Sequence, residues 1–161
     1  MCEPPRIVPV IEQHGGYLNK FVGDAVVVVF NGPMDQPDHA VRATRCALDL
    51  QRAVLAMNAE GAFPELKDIG DGVLKVGVGV ATGPMVCGNI GSVQQMEYTV
   101  IGDTVNLSSR LTGQAKAGDV VVSEATQAHL PDALVREPME PVMVKGKERP
   151  VQPFRLGPQP G

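Results

Sequence analysis

With 161 residues and 43% hydrophobic content the chain can bury one core, and nothing in its length calls for a second domain. Eighteen acidic against fourteen basic side chains leave a net charge of −4, which argues against nucleic acid or an anionic membrane as the main partner. Cys2, Cys46 and Cys87 are odd in number and form no Cys-x-x-Cys pair, so neither a disulfide framework nor a zinc site is indicated. That usage fits a reducing, cytoplasmic setting. No apolar stretch is long enough to cross a bilayer, and the first residues lack the apolar centre of a signal peptide. Attachment to a membrane through other segments of a parent chain stays open.

Taken in order, Ile7, Val10, Ile11 and His14 share one helical face, and Gly15-Gly16 after them is a helix stop. So short a helix is marginal alone and reads as the end of a longer one. Residues 17–22 and 25–30 flank Gly23-Asp24 as a β-hairpin, the second strand being a continuous apolar run suited to a sheet centre. Asp24 then falls at or beside a tight turn. Asp38 can cap a helix in which Ala40, Ala43, Ala47, Leu50, Val54 and Met57 recur at spacings of three and four. Strands are predicted at 73–80, 85–90 and 97–101, with Thr82-Gly-Pro84 turning the chain between the first two. A helix over 103–114 follows, then a strand at 120–122 and a short helix at 124–130. Two late strands fall at 142–145 and 151–156, and Pro153 puts the last on an edge. The pattern predicts an α+β sandwich with helices packed on a mixed, mostly antiparallel sheet, the domain covering 1–156 and a disordered tail 157–161.

Several local patterns could carry chemistry: Lys20-Phe-Val-Gly-Asp24, Glu97-Tyr-Thr99-Val-Ile-Gly-Asp103, Val105-Asn106-Leu-Ser-Ser-Arg110 and Val144-Lys145-Gly-Lys147. Taken singly each has a bland explanation. A lysine on a strand is usually solvated, an aspartate after glycine is usually a turn former, and Thr99 is a good β-former. Asn106 and Arg110 would ordinarily be an exposed pair at i, i+4. Their coincidence in this order changes the reading. With Gly77-Val-Gly79-Val-Ala-Thr-Gly83-Pro and Gly88-Asn-Ile-Gly91, they resemble the catalytic domain of class III adenylate and guanylate cyclases over nearly the whole chain, from His14 to about Leu156.

The resemblance implies a ferredoxin-like, palm-type fold and assigns roles by position. Asp24 matches the second of the family's two metal-binding aspartates, a hard oxygen ligand for Mg2+ or Mn2+. Asn106 matches the residue that holds the ribose in reactive geometry, and Arg110 the transition-state arginine. Lys145 matches the triphosphate-binding lysine, with Lys147 a second candidate. Lys20 and Thr99 take the purine-reading positions. Lysine has only donors, which suits N1 of adenine and opposes the N1–H of guanine, whereas a threonine hydroxyl can serve either base. Base choice therefore rests mainly on Lys20 and points to ATP. Threonine at 99 is similar to a bacterial subclass with bicarbonate-responsive members. In the family a head-to-tail homodimer builds each site, with the metal carboxylates from one subunit and the other groups from its mate.

Departures from the family pattern matter as well. Its first strand carries an aspartate in a Phe-x-Asp-Ile-x-Gly-Phe-Thr-like motif, and no such segment occurs in these residues. The resemblance thus implies a domain lacking its first strand and helix, one metal ligand short and with little or no turnover by itself. The competing reading is a catalytically silent cyclase-homology module that binds nucleotide or a partner and regulates by dimerisation. Intact Lys20, Asn106, Arg110 and Lys145 count against it. A diguanylate cyclase fits poorly because Gly23-Asp24 is followed by Ala25-Val26. A dinucleotide-binding fold fits no better, since the glycines of 77–91 fall between two strands. His14, His39 and His129 show no spacing suggesting metal binding or a nucleophile-base pair.

Overall fold

The computed structural model describes residues 4–22, 25–31, 35–62, 64–66, 68–69, 72, 74–90, 97–116, 118–134, 136–143 and 149–156; for 4–6, 20–22, 87, 89–90 and 97–99 the description covers the backbone alone. Helix α1 (Pro4–Gln13) stops where expected. Gly15 adopts φ +80°, open to glycine at little cost, and the Gly16 amide closes the end by donating to the Ile11 carbonyl at 2.9 Å. Strands β1 (Tyr17–Val22) and β2 (Ala25–Val29) pair antiparallel, with a bulge between Leu18 and Lys20.

The apolar run of β2 predicted a sheet centre, and the structure differs. Among the described residues its sheet has two strands, and burial is confined to the end of β2, from Val26, 38% exposed, to Val29, 4% exposed. A valine run is buried on both sides only where other layers cover both faces of its sheet.

The link to the next helix is pinned by side chains. Asn31, at φ 65°, donates its amide to Gln36 Oε1 at 2.8 Å, and Gln36 Nε2 donates to the Gly15 carbonyl at 2.8 Å.

Helix α2 (His39–Ala59) buries Ala40, Ala47, Val54 and Met57 from the predicted stripe, together with Thr44 and Cys46. Asp38 occupies the N-cap position but makes no capping bond. Its carboxylate instead accepts from Arg42 Nε at 2.7 Å, a charge-assisted bond that outcompetes a neutral backbone donor.

The predicted strand 73–80 shortens to β3 (Val78–Val80). Upstream the backbone is satisfied by α2 side chains. Asn58 brackets Leu74 with bonds of 2.8 and 2.9 Å, and Gln51 Nε2 donates to the Val76 carbonyl at 2.7 Å. Those groups have no need of a neighbouring strand.

Strands β4 (Val86–Ile90) and β5 (Glu97–Ile101) form a second antiparallel hairpin, followed by α3 (Asp103–Gln114) and β6 (Val120–Val122), all close to expectation. After α4 (Glu124–Gln127) comes β7 (Arg136–Pro138), a strand the sequence did not suggest, and finally β8 (Phe154–Leu156). The predicted strand 142–145 survives, among the described residues, only as an isolated bridge from Val142 to Val151.

The central sheet runs β3-β6-β8-β7, with β3 and β6 parallel and the other pairs antiparallel. β8 is therefore internal, against the expectation of an edge strand. Pro153 precedes the strand by one residue, so its missing N–H falls outside the ladder, and β7 takes the edge.

β6 is the centre of the core. Val120 and Val122 pack with Ala47 of α2, Val80, Leu130 and Leu156, while Val121 packs on the opposite face with Leu107 and Leu111 of α3. Two helices thus sandwich one sheet, the α+β architecture expected. The tail 157–161 lies outside the described residues.

Candidate active site

Three pieces of the chain, β3, the end of β5 and α3, build the platform that carries Asn106 and Arg110. Gly102, at φ +147°, turns β5 into α3. Thr104, Leu107 and Leu111 then point inward at helical spacing and are buried. β3 supplies the floor, and its glycine is a matter of space: a Cβ on Gly79 would lie 2.5 Å from the Thr112 amide nitrogen and 2.6 Å from the Ser108 carbonyl oxygen. At Gly77 the nearest atom would be the Ala115 carbonyl oxygen at 2.8 Å. The glycine-rich pattern before Thr82 therefore lets a helix backbone lie directly on a strand.

That close seating turns the other face of α3 outward. Asn106 and Arg110, four residues apart, are both exposed on it. Neither side chain has a hydrogen-bond or ion-pair partner among the described residues. An amide and a guanidinium side by side, with unused donors, can hold a sugar hydroxyl and a phosphate oxygen respectively.

Thr99 belongs to the same unit, on β5 opposite Gly88 and three residues before the turn at Gly102. Lys20 lies on the other hairpin, at the bulge of β1 and paired with Val27. Asp24, Lys145 and Lys147 lie outside the described residues. The structure therefore unites Asn106, Arg110 and the backbone position of Thr99, and places Lys20 on a separate element.

Elsewhere, an open cleft of about 330 Å³ is lined by His14, Arg45, Asp49, Arg52 and Leu134, none of them a predicted site residue. His14 Nε2 lies 2.6 Å from Asp49 Oδ2, which ties α1 to α2. His39 and His129, remote in sequence, have ring centroids 6.2 Å apart. Burial, reinforced by the charge of Asp49, pushes the Cys46 thiol up to about 12, which leaves it unreactive as a nucleophile. No group of three or more His, Cys, Asp or Glu able to hold a metal ion occurs among the described residues.

Sequence reasoning passed over Thr104. It lies between the motifs that end at Asp103 and begin at Val105, and its only local signal was a β-branched hydroxyl in the first turn of a helix, a position where threonine is unremarkable.

Comparisons with known proteins give the family and the fold. A family model described as the adenylate and guanylate cyclase catalytic domain matches residues 6–156. Adenylate cyclase 1 of Rhizobium meliloti is 32% identical over 140 residues, covering 86% of this chain and 20% of its own length. The chain therefore spans about a fifth of that relative. The crystal structure of the adenylyl cyclase CyaB from P. aeruginosa superposes with a TM-score of 0.81 at 28% identity, over 97% of this chain and 79% of that one. The guanylate cyclase domain of RhGC from Catenaria anguillulae in complex with GTP gives 0.77 at 26% identity, over 97% and 80%.

Proposed function

The chain belongs to the adenylate and guanylate cyclase catalytic domain family, and from that premise we propose that its domain, residues 1–156, converts ATP to 3′,5′-cyclic AMP and pyrophosphate at a site shared by a head-to-tail homodimer. The observation that carries the reading is the outward pair Asn106 and Arg110 on a helix anchored to the core. In the reaction the ribose 3′-hydroxyl attacks the α-phosphate of the same nucleotide and pyrophosphate departs. Asn106 orients the ribose for that attack, and Arg110 holds the negative charge that grows on the phosphate oxygens. Lys145, with Lys147 as second candidate, binds the triphosphate.

Lys20 donates to adenine N1 and Thr99 accepts from the adenine amino group. This polarity favours ATP over GTP, because guanine presents an N1–H to a lysine that cannot accept it. Both kinds of cyclase occur among the structural relatives, so base choice is the finer part of the proposal.

Asp24 offers a hard oxygen donor suited to Mg2+ or Mn2+, ions that lend Lewis acidity to such phosphoryl transfers. One carboxylate chelates weakly, and the 161 residues hold no Phe-x-Asp-Ile-like segment to supply another. Slow turnover by this polypeptide alone follows. Incubation with ATP or GTP and Mn2+, with cyclic product quantified, tests the reading: cyclic AMP in excess of cyclic GTP supports it. Nucleotide binding without any cyclic product would favour a silent regulatory module.

A further inference from the structure

We propose that Thr104 is a positioning residue that locks α3 in register with the turn after β3 and so sets where Asn106 and Arg110 stand; the proposal rests on the cyclase reading above. Its side chain is 6% exposed, and its Oγ1 donates to the Pro84 carbonyl at 3.0 Å. Apolar contacts of Leu107 and Leu111 with Val121 hold α3 against the sheet, but such contacts are non-directional and tolerate sliding. The other side-chain bonds of the helix stay within it, Ser108 Oγ to the Val105 carbonyl and Thr112 Oγ1 to the Ser108 carbonyl. Among the described residues, Thr104 makes the one directional side-chain bond from α3 to another element.

The acceptor is itself held from the far side. Thr82 Oγ1 and Thr126 Oγ1 are 2.7 Å apart, and Thr126 Oγ1 and Ser123 Oγ are 2.9 Å apart. The Thr82 amide donates to Ser123 Oγ at 3.4 Å. Ser123 and Thr126, the first turn of α4, are completely or almost completely buried. Between the two anchors stands Gly83, where a Cβ would come within 2.5 Å of Thr104 Oγ1. The turn 82–84 is thus clamped between α4 and α3, and the Thr104 hydroxyl is the part of the clamp that the site helix itself contributes.

Arg110 lies six residues beyond Thr104, and a shift of about 1 Å at a reacting group can cost on the order of a hundredfold in rate. Removing the bond while keeping side-chain volume should therefore act on turnover more than on binding.

The test compares Thr104→Val with Thr104→Ser, using steady-state cyclase kinetics and hydrogen exchange of the α3 amides. The valine variant should lose about tenfold in kcat with KM within about twofold, and serine, which restores the donor, should recover kcat to within about threefold. Exchange in 103–111 should rise with valine and return to normal with serine. A valine variant with unchanged kcat overturns the proposal, as does a serine variant as impaired as the valine one. Should the unsubstituted protein form no cyclic nucleotide, the kinetic comparison drops out. The clamp is then judged by exchange alone: serine-reversible deprotection supports it, and equal exchange in all three proteins overturns it.

Discussion

Helix α3 and the two hairpins are opposites in construction. α3 is bolted to the central sheet through Leu107, Leu111 and Val121, the last fully buried. The hairpins β1–β2 and β4–β5 form two-stranded sheets of their own and expose large apolar side chains, Val86 at 69% and Ile101 at 53%. The residues proposed to govern rate, Asn106 and Arg110, ride on the rigid unit. Of those proposed to govern base choice, Lys20 rides on the β1–β2 hairpin and Thr99 on β5, where the second hairpin leads into α3. Positional accuracy of a fraction of an ångström is what a transition state demands, whereas a base edge can be read by side chains on less constrained supports.

Substitutions can break or sharpen this contrast. Arg110→Ala should have the largest effect, lowering kcat by about a hundredfold to a thousandfold with an unchanged melting temperature, since the side chain is exposed. An equal loss of stability would mean that the helix face is structural. Next comes Gly79→Ala, which forces a methyl into the α3 backbone. Chemical denaturation should show a loss of about 2–3 kcal/mol, accompanied by loss of turnover. Full stability in that variant would show that α3 can lift off β3 freely, and the rigid half of the contrast would go with it.

On the hairpin side, Lys20→Glu should leave stability intact and move the ATP-to-GTP preference, read as the ratio of kcat/KM values, by about tenfold toward GTP. Should kcat fall equally for both nucleotides, Lys20 acts on rate and the division of labour fails. The smallest effect is expected at Asp38→Asn, at the exposed start of α2. The Arg42 guanidinium holds the Asp38 carboxyl below its ordinary range, so what the pair contributes is present above that range and fades as pH falls through the lowered pKa. A thermal-unfolding series should show a slight deficit for the asparagine variant at neutral pH and none in strong acid.

Much of this was legible in the sequence where local and tertiary demands coincide. The predicted bounds of α3 and β6 match the observed ones, and both elements bury apolar side chains in the same core. The Gly15-Gly16 stop was legible for the same reason. Legibility failed where partners distant in sequence decide the outcome. Asn58 and Gln51 satisfy the backbone at Leu74 and Val76, so a segment with strand-like composition makes no strand. Pro153 signalled an edge, yet β7 supplies the edge, and nothing in Arg136–Pro138 announces a strand. At the site, motif order pointed to Asn106 and Arg110, which the structure places on the exposed face of α3. The seat of Thr104 on Pro84 depends on a turn that comes twenty residues earlier and was invisible in any local pattern.

The central claim is that one chain lends Arg110 to a site whose carboxylate Asp24 belongs to its mate. Mixing an Asp24→Ala chain with an Arg110→Ala chain tests it most directly, because every heterodimer carries one site free of both substitutions. Each variant alone should be nearly inactive, and an equimolar mixture should recover about a quarter of the cyclic AMP formation of the unsubstituted protein, as random pairing into two-site dimers dictates. A mixture as inactive as its components would contradict the shared site.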